Sequence, residues 1–281
     1  MKQLLAIAGL AAVLTGAMIG CQKSASKETK VQQGLSADEK SLIAGAGFNQ
    51  NWAEKTADGN YLIEGDILLT KAQLEEMRGV SPSNELIVAG EEHYRTTNVV
   101  STPGTGTRTI TVRLGSGFPS YYSTGLDQAL ARYNTLGLKI VFQRVTTGGN
   151  IVISGANLGT TTGGGCILGQ SSGFPTASGN PASGFTLSTS SCATSYLNTA
   201  NKVDEVIAHE IGHCIGFRHT DYMNRSSCGQ NANEGSAGVG AIHIPGTPTT
   251  VTGTYNSWMM ACTNGNPAFS TSDGTALNYV Y

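Results

Sequence analysis

Three of the chain's 5 histidines, His209, His213 and His219, stand in the run HEIGHCIGFRH, and this cluster constrains the fold more than any other feature. An α-helix turns by 100° per residue, so His209 and His213 lie about 40° apart on one face, one turn above the other, where both imidazoles reach one tetrahedral ion. Glu210 is too near in sequence to be a comfortable third ligand, yet well placed to take a proton from a metal-activated water. Gly216 adopts the left-handed conformation freely, which ends the helix and lets the chain reverse so that His219 swings back to the same ion. Three ligands leave the fourth position of Zn2+ for water or substrate, the layout of a catalytic site. Val203, Val206, Ile207, Ile211 and Ile215 cover the other faces. One helix, from about Lys202 to Ile215, is therefore expected to be core and site at once.

Composition indicates where such a chain works. Of 281 residues only 13% are charged and 37 are Gly, so a loop-rich, sparsely charged chain is expected. The formal net charge of −2 offers no basic field to hold nucleic acid or an anionic bilayer. Lys2, the apolar run from Leu4 to Val13 and the sequence Met18-Ile19-Gly20-Cys21 read as a secretory signal, with a run too short for a comfortable membrane span. Gly20 immediately before Cys21 resembles the bacterial lipobox, in which the Cys becomes a lipid anchor. An exported lipoprotein of the bacterial outer membrane or cell surface is expected, touching the membrane through that anchor alone; cleavage nearby and full secretion is the alternative. Residues 22–34 are polar and read as a flexible tether. With Cys21 as anchor, Cys166, Cys192, Cys214, Cys228 and Cys262 remain, an odd set that leaves at least one thiol unpaired in an oxidising compartment.

Residues 35–95 form a small N-terminal unit. Ser36 with Glu39 and Thr70 with Gln73 fit the capping box and open helices at Ala37 and Lys71. Tyr61–Ile63 and Ile67–Leu69 flank Glu64-Gly65-Asp66 as strand, turn and strand. A cluster of turn formers from Ser101 to Thr107 leads into the second unit, residues 96–281. There Ile110, Val112 and Leu114 alternate as a half-buried strand, and Leu126, Ala129, Leu130 and Tyr133 mark an amphipathic helix closed by Gly137. Strands are expected at Leu138–Val145 and Asn150–Ser154. In the long irregular stretch from Gly155 to Asn198 only Cys166–Gly169 and Phe185–Ser188 look extended, and Cys166 and Cys192 are placed to staple it. Ser270 and Asp273 open a last short helix.

The pattern HExxHxxGxxH resembles the metzincin zinc endopeptidases, and HEIGHCIGFRHTD is most similar to the bacterial dual-action HEIGH metallopeptidases. The resemblance implies an α+β fold: a metzincin-like zinc peptidase domain with a twisted mixed sheet, two long helices, a zinc helix, a Met-turn and a C-terminal helix, preceded by the small N-terminal unit. It implies one catalytic Zn2+ on His209, His213 and His219, with Glu210 as general base. Substrates would be extended polypeptides laid along a sheet edge near Cys166 to Gln170. A monomer is expected, and a structural Ca2+ is not predicted. Ser257-Trp258-Met259 fits the Met-turn, with Met260 as the close alternative; where astacin-like members carry a tyrosine ligand this chain has Ala261, so no tyrosine switch is assumed. The segment Ile63-Glu64-Gly65-Asp66-Ile67 is similar to the Gly-Asp segment of astacin propeptides, whose aspartate fills the fourth zinc position in the latent enzyme. Asp66 is thereby a candidate latency switch, an ordinary turn being the alternative. The first unit holds no Cys, so a cysteine-type switch is excluded.

Other signals point less far. Gly169-Gln170-Ser171-Ser172-Gly173 matches the GxSxG nucleophile elbow, but that motif needs a helix after it and Phe174-Pro175 follow. Asp221 either orients His219 or hydrogen-bonds a turn. His93 and His243 are isolated and read as structural or exposed, and Cys214 faces away from the metal. A zinc endopeptidase is thus weighed against a surface lipoprotein that binds protein or glycan around a structural, non-catalytic zinc.

Overall fold

Local rules set the first elements. In the computed structural model, which describes residues 31–32, 34–78, 93–161, 164–236, 238–248, 256–263, 265 and 268–281, a short strand β1 (Val31–Gln32) precedes helix α1 (Ala37–Gly45). The signal segment and Cys21 lie outside the described residues. Ser36 and Glu39 form the expected reciprocal capping box, and Thr70 with Gln73 does the same for α2 (Lys71–Met77). Between the helices run β2 (Glu54–Thr56), β3 (Tyr61–Ile63) and β4 (Ile67–Leu69), with Ile63 opposite Ile67. The turn joining β3 to β4 has positive φ at Glu64 (58°) and Gly65 (91°) and is closed by Asp66 N donating to Ile63 O, the pattern of a type I′ hairpin turn. Glycine is at ease there. A bulky Glu is not, and it sits there because its side chain is bound elsewhere.

The second unit begins with β5 (Tyr94–Arg95) and β6 (Arg108–Leu114), continues through α3 (Ser120–Asn134), β7 (Ile140–Val145), β8 (Ile151–Ala156), β9 (Gly169–Ser171), β10 (Gly184–Ser188), α4 (Ser191–Tyr196), α5 (Ala200–Ile215) and β11 (Ile242–His243), and ends with α6 (Thr271–Val280). A mixed sheet in the order β1-β2-β3-β4-β9-β10-β8-β6-β7 spans both units. β6, β7, β8 and β10 pair in parallel, whereas β9 runs antiparallel to β10 and presents its other edge to β4. The α+β architecture agrees with the sequence expectation. The two units also share apolar packing: Ile43, Ile63, Ile67 and Leu74 form a second core with Phe174 and Val239 from far along the chain.

Helices α3 and α5 cross closely, since a Cβ on Gly125 would lie 2.7 Å from a Val203 methyl and 2.8 Å from Ala200 O. Together with the sheet they enclose the main core, in which Val112, Leu126, Tyr133, Ile153, Ile207 and Ile211 are all buried. Two expected boundaries shift. α3 starts at Ser120, earlier than its apolar stripe, and is preceded by Pro119 with no side-chain cap. β9 lies at Gly169–Ser171 and not at Cys166–Gly169, because Cys166 is drawn into a disulfide with Cys192 and a bridge with Thr160. A second disulfide joins Cys228 and Cys262. Among the described residues the free cysteine is Cys214, buried on the core side of α5, where desolvation pushes its thiol up and keeps it protonated and inert. No helix among the described residues is long and apolar enough to cross a membrane.

Candidate metal centre and active site

α5 ends as its glycine demands. Gly216 takes φ 109°, its N–H and that of Phe217 close back on Gly212 O, and the reversed chain carries His219 toward His209 and His213. The Nδ1 atoms of the three imidazoles are all committed to acceptors that cannot donate: His209 to Trp258 O at 2.8 Å, His213 to Phe217 O at 2.9 Å and His219 to Glu234 Oε1 at 2.9 Å. Each Nδ1 must therefore carry a proton, and each ring turns its Nε2 toward one common point. Asp66 Oδ2 faces the same point, 3.2 Å from His209 Nε2, 3.5 Å from His213 Nε2 and 2.7 Å from His219 Nε2. His209 and His213 Nε2 are 3.1 Å apart. A tetrahedral zinc with bonds of about 2.0–2.1 Å separates its ligand atoms by about 3.3 Å, so the three ring nitrogens and the carboxylate oxygen stand near zinc spacing. The donor set fits the ion, and Asp66 occupies the fourth corner that the histidine motif leaves open.

Burial opposes charge throughout this cage. At Asp66 it is outweighed by His219 and His213, which hold the carboxyl well below the usual range; at His219 it is outweighed by Asp66 and Glu234, which hold that imidazole well above its ordinary value. At His213 burial dominates and pulls the pKa down to about 4. Glu210 is buried beside the cage; desolvation first, and the Asp66 charge second, push its carboxyl well above the usual range. Its carboxylate packs on the backbone of Gly169 in β9, where a Cβ would overlap Oε1. Glu210 Oε2 has no hydrogen-bond partner among the described residues.

Beneath the histidines, Met259 is buried at 1% exposure, and a Cβ on Gly212 would overlap its sulfur. The glycine within HEIGH thus admits Met259 under the helix. Met260 instead lines the cleft, a cavity of about 380 Å³ whose walls include Asp66, Leu168, Gly169, His209 and Glu210.

Of the two roles open to Asp221, the loop-tying one is the one its hydrogen bonds serve. Asp221 does not touch the His219 ring: it accepts from Ser227 N and Oγ and from Ala261 N, so it ties loops together. The carboxylate on His219 is Glu234, fully buried and also paired with Arg225. Arg225 Nη1 donates to Glu64 O, and Arg218, fully buried inside the motif, pairs with the Glu64 carboxylate. This accounts for the left-handed Glu64. No pattern marks Glu234, though Arg218 in a buried motif was a hint that an acid must meet it. His93 is buried against Asp273, and His243 stands in β11. No helix follows β9, and Ser171 Oγ donates to Gly173 O, so the GxSxG run is a strand and turn. Its edge is the expected sheet edge beside the site, here taken by β4 of the first unit, with Ser171 N donating to Asp66 O at 2.7 Å.

A family model described as dual-action HEIGH metallo-peptidase matches residues 61–281. No curated protein matches the chain. Among solved structures, it is similar to one of myroilysin, with 17% identity over 65% of this chain and 97% of that one and a TM-score of 0.37. It is also similar to high choriolytic enzyme 1, a hatching-enzyme zinc protease of the medaka fish Oryzias latipes, with 18% identity over 65% of this chain and 93% of that one and a TM-score of 0.36.

Proposed function

The chain belongs to the dual-action HEIGH metallopeptidases and is a zinc metalloendopeptidase, and we propose that His209, His213 and His219 hold its zinc while Glu210 serves as general base in the hydrolysis of polypeptides. One observation carries this reading: three imidazoles with committed Nδ1 atoms aim their Nε2 lone pairs at one point beside the Glu210 carboxylate. When bound, zinc polarises the scissile carbonyl and acidifies water. Glu210 accepts the water's proton and passes it to the leaving amine. The β9 edge holds an extended substrate by main-chain hydrogen bonds, once β4 has left it. Met259 supports the histidines from below.

The same reading makes the chain latent as it stands, with residues 35–95 as a pro-segment and residues 96–281 as the protease. Asp66 takes the fourth ligand position, and the Glu64 pairing with Arg218 anchors the hairpin that delivers it. Export through the N-terminal signal, with Cys21 as lipid anchor, agrees with two disulfides that need an oxidising compartment.

The test uses the full chain and its Asp66→Ala variant, assayed on a fluorescent protein substrate with and without chelator. Asp66→Ala is expected to be the more active of the two and to lose that activity on chelation. Adding Glu210→Gln should keep zinc bound and cut turnover about 10²–10⁴-fold, the usual worth of a general base. A Glu210→Gln enzyme of full activity would sink the assignment, and activity that survives zinc removal would sink zinc-dependent catalysis.

A further inference from the structure

We infer that Asp273, on the C-terminal helix, is a positioning residue for the metal ligand His209, acting through Trp258. The inference rests on the metal site proposed above. The three ligand imidazoles are oriented by unlike means. His213 is held by Phe217 O within the cap of its own helix, and His219 by a buried carboxylate paired with arginine. His209 depends on Trp258 O, in a segment far along the chain, and a carbonyl orients a ring only as well as its own residue is held.

Trp258 is held at its other end by Asp273. Its backbone N–H donates to Asp273 Oδ2 at 3.3 Å, while its C=O accepts from His209 Nδ1 at 2.8 Å, so one residue links the carboxylate to the ligand. The carboxylate is fully buried and fixed on both oxygens: Oδ1 lies 2.6 Å from His93 Nε2, and Oδ2 also accepts from Ser270 N at 2.7 Å. His93 in turn stacks on the Trp258 ring, with centroids 5.9 Å apart. The indole N–H donates to Tyr133 Oη at 2.9 Å, and that hydroxyl donates to Ala208 O, the residue before His209, at 2.7 Å. Main chain and ring thus converge on His209 from both sides, and the charged end of this arrangement is Asp273.

Asp273 also shares a capping box with Ser270 at the start of α6, and that helix-capping role must be separated from the positioning role. Ser270→Ala removes the same cap but leaves the bond to Trp258 intact. In the full chain, Asp273→Ala is expected to weaken zinc binding about tenfold, the lower end for groups behind a ligand, measured by competition with a chromophoric chelator. It should also shift the visible absorption bands of the Co2+-substituted protein. Ser270→Ala should lower the melting temperature yet keep zinc affinity within about twofold and leave the Co2+ spectrum unmoved. Equal zinc affinity in the two variants overturns the inference, whether both weaken or neither does. Should Asp273→Ala not fold, Asp273→Asn decides. Its amide oxygen still serves the Trp258 N–H, so it must bind zinc as the parent does, and a tenfold loss would overturn the inference. A full chain that binds no zinc at all would instead overturn the metal site itself.

Discussion

An imidazole becomes a dependable metal ligand only when its second nitrogen is already bound, and in this chain the three second nitrogens find their partners at very different sequence distances. The convergence of the three histidines was legible because HEIGH depends on helix periodicity alone, and Gly216 on a single backbone angle. Glu234 was not legible: it reaches His219 only after an irregular loop through the left-handed Arg225, and no short-range rule fixes such a path. Asp221, nearer in sequence, turned out to face Ser227 and Ala261. Glu234→Gln keeps an acceptor for the ring but loses the charge that pairs with Arg225, so zinc affinity should fall roughly 10-fold or more by chelator competition; an unchanged dissociation constant would mean that the charge is not needed. Gly169 makes a second demand at this scale. Because a Cβ there would overlap Glu210 Oε1, Gly169→Ala in the Asp66→Ala background should displace the base and lower kcat by at least about 10²-fold while zinc stays bound. Full turnover in that variant would show that Glu210 has another place to sit.

Among the elements, the helix caps and most strands matched the reading, and the mismatches fall where distant contacts decide. The capping boxes at Ser36, Thr70 and Ser270 all formed where the pattern put them, since each needs only residues i and i+3. The first turn of α3 carries no such signal, and β9 moved because a disulfide claims Cys166. The joining of β4 to β9 was equally out of reach, being a contact between strands about a hundred residues apart. At α1 the element scale supplies its own test. Lys55, then the Ser36 backbone N–H, hold the Glu39 carboxyl down to about 2 from 4.5. A carboxyl depressed in the folded state stabilises it at pH above its unfolded value, and that contribution drains away as pH falls from 4.5 toward 2. The melting temperature of the wild-type chain should therefore drop more steeply across that interval than that of Glu39→Gln. Parallel curves would show that the pair with Lys55 adds nothing to the folded state.

On the scale of the whole molecule, the site is assembled from parts that only the complete fold brings together: Asp66 from the first unit, the histidines from α5 and the turn behind it, Glu234 from a loop, and Trp258 backed by α6. Gly and the small polar residues that fill these connections give them freedom, and the two disulfides remove it. Cys166–Cys192 and Cys228–Cys262 span sequence separations of 26 and 34, which in the chain-entropy account is worth about 3–4 kcal/mol each. Their places differ in consequence. Cys166–Cys192 holds the approach to β9, at one wall of the cleft. Cys228–Cys262 closes the wall between the His219 turn and Met259, where Asp221 already binds Ser227 and Ala261 next to the two half-cystines. Replacing either pair by alanines should lower the melting temperature of the metal-free chain to a similar extent. Only loss of Cys228–Cys262 should also weaken zinc, because only that bridge fixes the segment whose Trp258 carbonyl orients His209. Zinc that binds the folded state alone raises stability by RT ln(1 + [Zn2+]/Kd), so at a fixed zinc concentration the rise in melting temperature should shrink in Cys228→Ala/Cys262→Ala and stay at the wild-type value in Cys166→Ala/Cys192→Ala. An equal rise in both would show that the metal centre is held by α5 and its turn alone, independent of the loop the second disulfide ties down.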